Sequence, residues 1–284
     1  MASLHPDPWR TVDAQPTADT MAAALEVRGR TPSQVRLRRR FLRWVPVGAG
    51  DRVLEVGCGT GVVARDLAAL VGRRGRVSAV DTSATLLARA RSLSRGAPGG
   101  PIVFRHADGA RLPFGDRRFG VALAITVILH VEDPLRVVKE MTRVTRPGGR
   151  VALQDQDFGL IGAAHPDREL TAKILDGVAA RIYAEPYSGR RLGALLRAAG
   201  LADVRMIADV YQDTTLTQFS RNFLGRRAEN AVRFGIVDAP TAERWLDGFN
   251  ALHAEGNFVL TMQYFGAAGV KPATARRSPQ AGHV

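Results

Sequence analysis

Val53-Leu54-Glu55-Val56-Gly57-Cys58-Gly59-Thr60-Gly61 runs β-prone apolar residues straight into three glycines at alternate positions. From Val62 to Val71 the apolar residues fall at 62, 63, 67, 70 and 71, which is helical spacing. Strand, tight glycine turn and helix in that order open an α/β unit whose backbone approaches a ligand at a helix N-terminus. Two details narrow the ligand. A dinucleotide fingerprint needs glycine at position 62, where this chain has Val62. Glu55, two residues before the first glycine, would repel a pyrophosphate and favour a ligand with a cationic amino-acid end.

Length and composition bound the rest. A chain of 284 residues buries a full core, and one α/β domain with insertions is the simplest reading. The longest apolar-rich run, Val121 to Leu129, suits a buried strand and is too short to span a bilayer. The N-terminus has no apolar signal region, so a cytoplasmic protein with no membrane contact is expected. Cys58 is the only cysteine, so no intramolecular disulfide forms, and within the glycine turn it reads as a small packing residue. The net charge of +13 raises the question of a nucleic-acid partner. Yet of 40 basic residues only Lys139, Lys173 and Lys271 are lysines, an arginine bias that suits high-GC coding. Arg36, Arg38, Arg39, Arg40 and Arg43 cluster on a helix whose Val35, Leu37, Phe41, Leu42 and Trp44 can face the core. They read as a solvated helix face, and no nucleic-acid partner is expected.

Downstream, Arg76 to Val80 forms a second strand with Asp81 at its tip, 24 residues after Gly57. A carboxylate there can accept hydrogen bonds from both hydroxyls of a ribose. It could instead cap the following Ala/Leu-rich helix, but Ser83 can do that and leave Asp81 free. His106-Ala107-Asp108-Gly109-Ala110-Arg111-Leu112-Pro113-Phe114 follows a short third strand, and a continuous apolar run, Phe119 to Val127, reads as a central strand buried on both faces. A helix from Pro134 to Thr145 leads through Arg146-Pro147-Gly148-Gly149-Arg150 to a fifth strand, Val151 to Gln156. Proline stops that helix and the glycines permit the reversal.

In this order these segments resemble the class I S-adenosylmethionine-dependent methyltransferases, strongly over residues 45 to 158 and loosely to 270. The detail is similar to the small-molecule branch of quinone-biosynthesis and natural-product methyltransferases. The resemblance implies a Rossmann-like α/β fold: a mostly parallel seven-stranded sheet, last strand antiparallel, with helices on both faces and a helical cap. It implies residues 1–17 as an irregular tail and 18–270 as one methyltransferase domain. Within that domain, cap helices occupy 18–45, the cofactor core 46–158, and a substrate-side insertion with C-terminal strands 159–270; a polar tail covers 271–284.

For the cofactor, S-adenosyl-L-methionine, the resemblance implies Glu55, Gly57, Gly59 and Thr60 at motif I, and Asp81 and Thr82 at the ribose. Asp108 would face the adenine amino group, Gly109 would present its N–H to the ring, and Thr126 would border the methionine portion. Arg28 or Arg30 could reach the cofactor carboxylate or lie on the surface. His130 would sit at the methyl-transfer cavity, as a general base or as a residue that orients its loop. Two departures from the family pattern are Phe119-Gly120 in place of Phe-Asp, and Leu129 where a second histidine is frequent. Asp155, Asp157, His165, Tyr183, Tyr187 and Tyr264 are weaker candidates for touching the acceptor. No metal site is expected. The implied reaction is in-line methyl transfer to a small-molecule acceptor of secondary or quinone metabolism. An RNA or protein methyltransferase, or a non-methylating protein that binds the same cofactor, stays open as an alternative, and so does a homodimer.

Overall fold

The computed structural model of the protein describes residues 7–273. Two 3₁₀ turns, Pro8–Arg10 and Val12–Ala14, precede helices α1 (Ala18–Arg30) and α2 (Pro32–Trp44). Strands and helices then alternate: β1 (Arg52–Val56), α3 (Val62–Val71), β2 (Arg76–Asp81), α4 (Ala84–Leu93), β3 (Ile102–His106), β4 (Phe119–Ile125), α5 (Pro134–Val144) and β5 (Thr145–Ala163). The chain continues through α6 (Arg168–Ile182), α7 (Ser188–Ala198), β6 (Ala202–Asp213), α8 (Gln218–Arg233), α9 (Ala239–Ala254) and β7 (Leu260–Val270). Local chemistry starts several of these helices. Asp133, Asp167, Thr217 and Asp238 each accept a hydrogen bond from a first-turn backbone N–H of the helix they precede.

The seven strands order as β3-β2-β1-β4-β5-β7-β6. β1 to β5 pair in parallel, and β7 inserts antiparallel to both β5 and β6. The sheet is therefore the expected mostly parallel one with an antiparallel last strand. β4 is buried along both faces, which is why its sequence shows no alternation. Its Val121 and Leu123 pack with Val53, Leu67, Phe41 and Val71 on one side. Ala122 and Ala124 face Val138, Met141, Leu192 and Leu196 on the other. A third cluster, with Ile174, Val178, Trp245, Phe249 and Tyr264, ties α6, α8 and α9 to the extended ends of β5 and β7.

Two differences from expectation follow from long-range contacts. The stretch expected to be an irregular tail is ordered from Asp7 onward in the two 3₁₀ turns, with Val12 buried against Met21 and Leu86. Residues 1–6 lie outside the described residues, as does the expected polar tail from 274. β5 is also longer than expected: it extends past Gln156 to Ala163, where antiparallel pairing with β7 resumes after a register shift. The Arg146–Gly149 turn survives as a bulge between the Phe119–Thr145 and Val121–Arg150 pairs, with Gly148 at φ +73°. Among the described residues no helix is long and apolar enough to cross a membrane.

Candidate functional site

β1 and β4 are adjacent, yet the connections from them lead to opposite sides of the sheet order. Such a switch point leaves a crevice at the carboxyl ends of the strands. A cavity of about 630 Å³ lies there, walled by the glycine turn after β1, the tip of β2 and the loop after β4, and covered by α1 and α8.

The glycine turn is shaped for close approach. Gly57 takes φ +70°, and a Cβ on it would stand 2.4 Å from Val127 Cγ2. Gly61, at φ +79°, is the N-cap of α3. The Gly59 N–H donates to Asp81 Oδ2 at 2.8 Å, so the turn is pinned to the tip of β2. Asp81 Oδ1 also accepts from the Ser83 N–H at 3.0 Å. Ser83 does cap α4, through the Leu86 N–H, but Asp81 is not entirely released from the turn.

Glu55 is 2% exposed and lines the cavity, and its Oε2 has no hydrogen-bond partner among the described residues. Desolvation, and then the neighbouring Asp81 charge, push its pKa well above the carboxylate range. Desolvation likewise raises Asp81. A buried acid and a half-buried one against a glycine wall fit a ligand that brings a cation and hydroxyl donors, as S-adenosylmethionine does. Burial also raises the Cys58 thiol well above its usual range, which suits packing and not nucleophilic chemistry.

The other sequence candidates are distributed unevenly. Thr82, Asp108, Gly109 and Thr126 line the cavity, and a Cβ on Gly109 would meet Val56 at 2.8 Å. Thr60 lines it too, but its hydroxyl donates to Glu26 Oε1 at 2.6 Å within an ion pair to Arg65, so its side chain is engaged elsewhere. Thr126 adopts φ +54°, and its hydroxyl accepts from Arg28 Nη1 at 3.2 Å. Arg28 lines the cavity and reaches Tyr264 OH at 3.4 Å, whereas Arg30 is exposed and bonds the Glu26 carbonyl.

His130 sits at the same cavity, in a 3₁₀ turn after β4. Its Nδ1 is 2.5 Å from Asp7 Oδ2, and Asp7 is 4% exposed. The ring stands edge-on to Tyr183 at 5.5 Å and tilted to Trp9 at 6.4 Å. Sequence reading missed Asp7, because no local pattern links two residues 123 positions apart.

Of the weaker candidates, Tyr183 and Tyr264 line the cavity, and the rest do not. Asp155 is fully buried, accepts from the Leu129 N–H at 3.0 Å, and is pushed by burial up to about 7. Asp157 is held by Arg190 at 2.5 and 2.7 Å. His165 bonds the Trp245 carbonyl, and Tyr187 lies under Arg190. Among the described residues no group of His, Cys, Asp and Glu could hold a metal ion. One side of the cavity is instead aromatic and basic: Phe158, Tyr183 and Phe223 surround Arg227, and Phe219 and Arg226 line the same side. No motif marks these residues, which come from β5, α6 and α8.

Residues 54–153 match the family model described as a methyltransferase domain. The chain is 32% identical over 226 residues to 27-O-demethylrifamycin SV methyltransferase of Amycolatopsis mediterranei (strain S699), covering 78% of each. It is 35% identical over 147 residues to a ubiquinone/menaquinone biosynthesis C-methyltransferase of Ectopseudomonas mendocina (strain ymp), covering 50% of this chain and 53% of that one. The chain spans about half the length of several other curated relatives it matches. Phosphoethanolamine N-methyltransferase 2 of Haemonchus contortus, solved with S-adenosyl-L-methionine, superposes with a TM-score of 0.60 over 93% of this chain and 60% of that one. At 18% identity, this last likeness concerns the fold alone.

Proposed function

We infer the activity from one premise: this chain belongs to the class I S-adenosylmethionine-dependent methyltransferase family. On our reading it is an enzyme that transfers a methyl group to a nucleophilic atom of a small-molecule acceptor. The observation that carries this is the unpartnered, buried Glu55 carboxylate in a glycine-walled cavity that is continuous with an aromatic chamber. Relatives named for rifamycin and quinone methylation support a polycyclic or quinone-like acceptor of secondary or quinone metabolism.

S-adenosylmethionine, when bound, supplies a methyl group already activated on a sulfonium, so the protein has to align the partners and exclude water. Glu55 would hold the ammonium, and Arg28, which has no carboxylate partner among the described residues, the cofactor carboxylate. Asp81, with Thr82 beside it, would take the ribose hydroxyls, and Asp108 with the Gly109 N–H the adenine edge. Gly57 and Gly59 supply close backbone, Thr60 supplies backbone rather than its engaged hydroxyl, and Thr126 borders the methionine side.

His130 would take the proton of the acceptor. With Nδ1 directed at Asp7, the imidazole presents Nε2 as its proton-accepting atom. Asp7 is then a positioning residue, and the N-terminal turns that carry it close the cavity against water. Cytoplasmic location and a small-molecule partner without nucleic acid go with this reading: Arg38 and Arg40 of the basic α2 cluster pair with Asp66 and Asp209. A homodimer is left open by it.

Labelled methyl transfer from S-adenosylmethionine to a panel of hydroxynaphthoquinones and polyketide phenols tests the proposal. Product that disappears in His130→Ala with cofactor binding retained is the expected result. A cofactor-loaded protein that methylates nothing in the panel, while a protein or RNA fraction becomes labelled, would overturn it.

A further inference from the structure

Both acids and arginines line the cavity. Of its acids, Glu55, Asp81 and Asp108 stand at the strand tips and the loop after β3, and Glu132 and Asp133 in the loop after β4. Its arginines divide into those with a task and those without. Arg10 and Arg38 pair with Glu132 and Asp66, and Arg136 donates to the Ala110 carbonyl. Arg28 would hold the cofactor carboxylate, and Arg226 and Arg227, on α8, have no carboxylate partner among the described residues.

Arg227 is 4% exposed, and its one hydrogen bond is from Nη2 to Tyr183 OH at 3.2 Å. Its guanidinium lies 4.6 Å from the Phe158 ring centroid, 4.9 Å from Phe223 and 5.4 Å from Tyr183. Aromatic faces attract a cation, but they do not supply the anion that a desolvated arginine wants. Arg226 is exposed at the cavity mouth, and among the described residues its guanidinium makes no hydrogen bond and no ion pair. Burial lowers its pKa and the Arg227 and Arg28 charges add to that, while Tyr183 and the Glu229 charge oppose it without an ion pair. Tyr183 links this end to the reaction centre, since both His130, at 5.5 Å, and Arg227, at 5.4 Å, lie against its ring.

We propose that Arg226 and Arg227 form an anion subsite, and that the acceptor is a planar unsaturated compound bearing a carboxylate, which this pair holds while the methylated atom faces His130. The planar fork of each guanidinium matches a carboxylate, and the rings of Phe219 and Phe223 line the cavity beside them for an unsaturated body. The subsite rests on the methyltransferase reading, and it adds the acceptor's charge to it.

Calorimetric titration of the S-adenosylhomocysteine complex with 1-naphthoate and with 1-naphthamide tests the subsite. The acid is expected to bind at least tenfold more tightly than the amide. Arg226→Gln should remove most of that preference while S-adenosylhomocysteine affinity stays unchanged. Arg227→Lys, which keeps the charge and loses the fork, should weaken it in part. Equal binding of the two probes, binding of neither, or a preference that survives Arg226→Gln would overturn the subsite. Failure of the chain to bind S-adenosylhomocysteine would count against the cofactor reading instead, and the same acid-against-amide comparison on the protein alone would then decide the subsite.

Discussion

At the scale of single residues, the site is a set of acids and bases whose surroundings set their chemistry. Glu55 carries the clearest pH signature. Burial and Asp81 raise its pKa, so it ionises, and attracts an ammonium, at a higher pH than an ordinary carboxylate. Cofactor affinity should therefore rise with pH through that ionisation, and calorimetry on Glu55→Gln should give weaker binding without that rise. Asp155 behaves differently, because it faces no ligand. Its carboxyl titrates at about 7 in the fold and near 4 when unfolded, so the folded state holds the extra proton between those values. The resulting stability is complete below about pH 4 and lost as pH rises through 7. Asp155→Asn should remove this loss, on the order of 2–4 kcal/mol at pH 8, as read by denaturant midpoints at pH 5 and pH 8. Asp7→Asn should lower kcat by up to about 100-fold with little change in KM, if the carboxylate sets the imidazole tautomer. An unchanged kcat would reduce Asp7 to a packing role. The acids and glycines at strand tips were legible from the sequence because a strand–turn–helix fixes them locally. Asp7 and Arg227 were not, since their roles come from contacts between distant segments.

At the scale of elements, the N-terminal 3₁₀ turns do the work of a cover. Asp7 reaches His130, while Asp13 receives the Ser83 hydroxyl and the Ala84 and Thr85 N–H groups at the start of α4. Those bonds lower the Asp13 pKa to about 2. Its stabilising share is present above about pH 4 and fades as pH falls towards 2. Asp13 is exposed, so solvent screening limits that share to roughly 1 kcal/mol. Asp13→Ala should lower Tm by a few degrees at pH 7 and by clearly less at pH 2, where the carboxylate is partly protonated in the fold. Sequence periodicity does not reveal such a segment, because tertiary contacts and not a repeating face give it its shape. The length of β5 escaped for a related reason. Past Gln156, a register shift interrupts its pairing with β7, and Gly159 and Gly162 read locally as loop.

At the scale of the whole molecule, alternating strands and helices made a mostly parallel α/β sheet legible, while seven strands with an antiparallel last one were legible only through the family resemblance. The acceptor chamber was not, because it is assembled from α1, α6, α8, β5 and β7, each contributing one or two side chains. The central claim is that the cavity holds S-adenosylmethionine through the acids at the tips of β1 and β2. It is tested most directly by calorimetric titration of S-adenosylmethionine into the wild type and Asp81→Ala. Micromolar binding that weakens at least about tenfold, about 1.4 kcal/mol, in a folded mutant is the expected result. No binding by the folded wild type, or equal binding by the mutant, would contradict it.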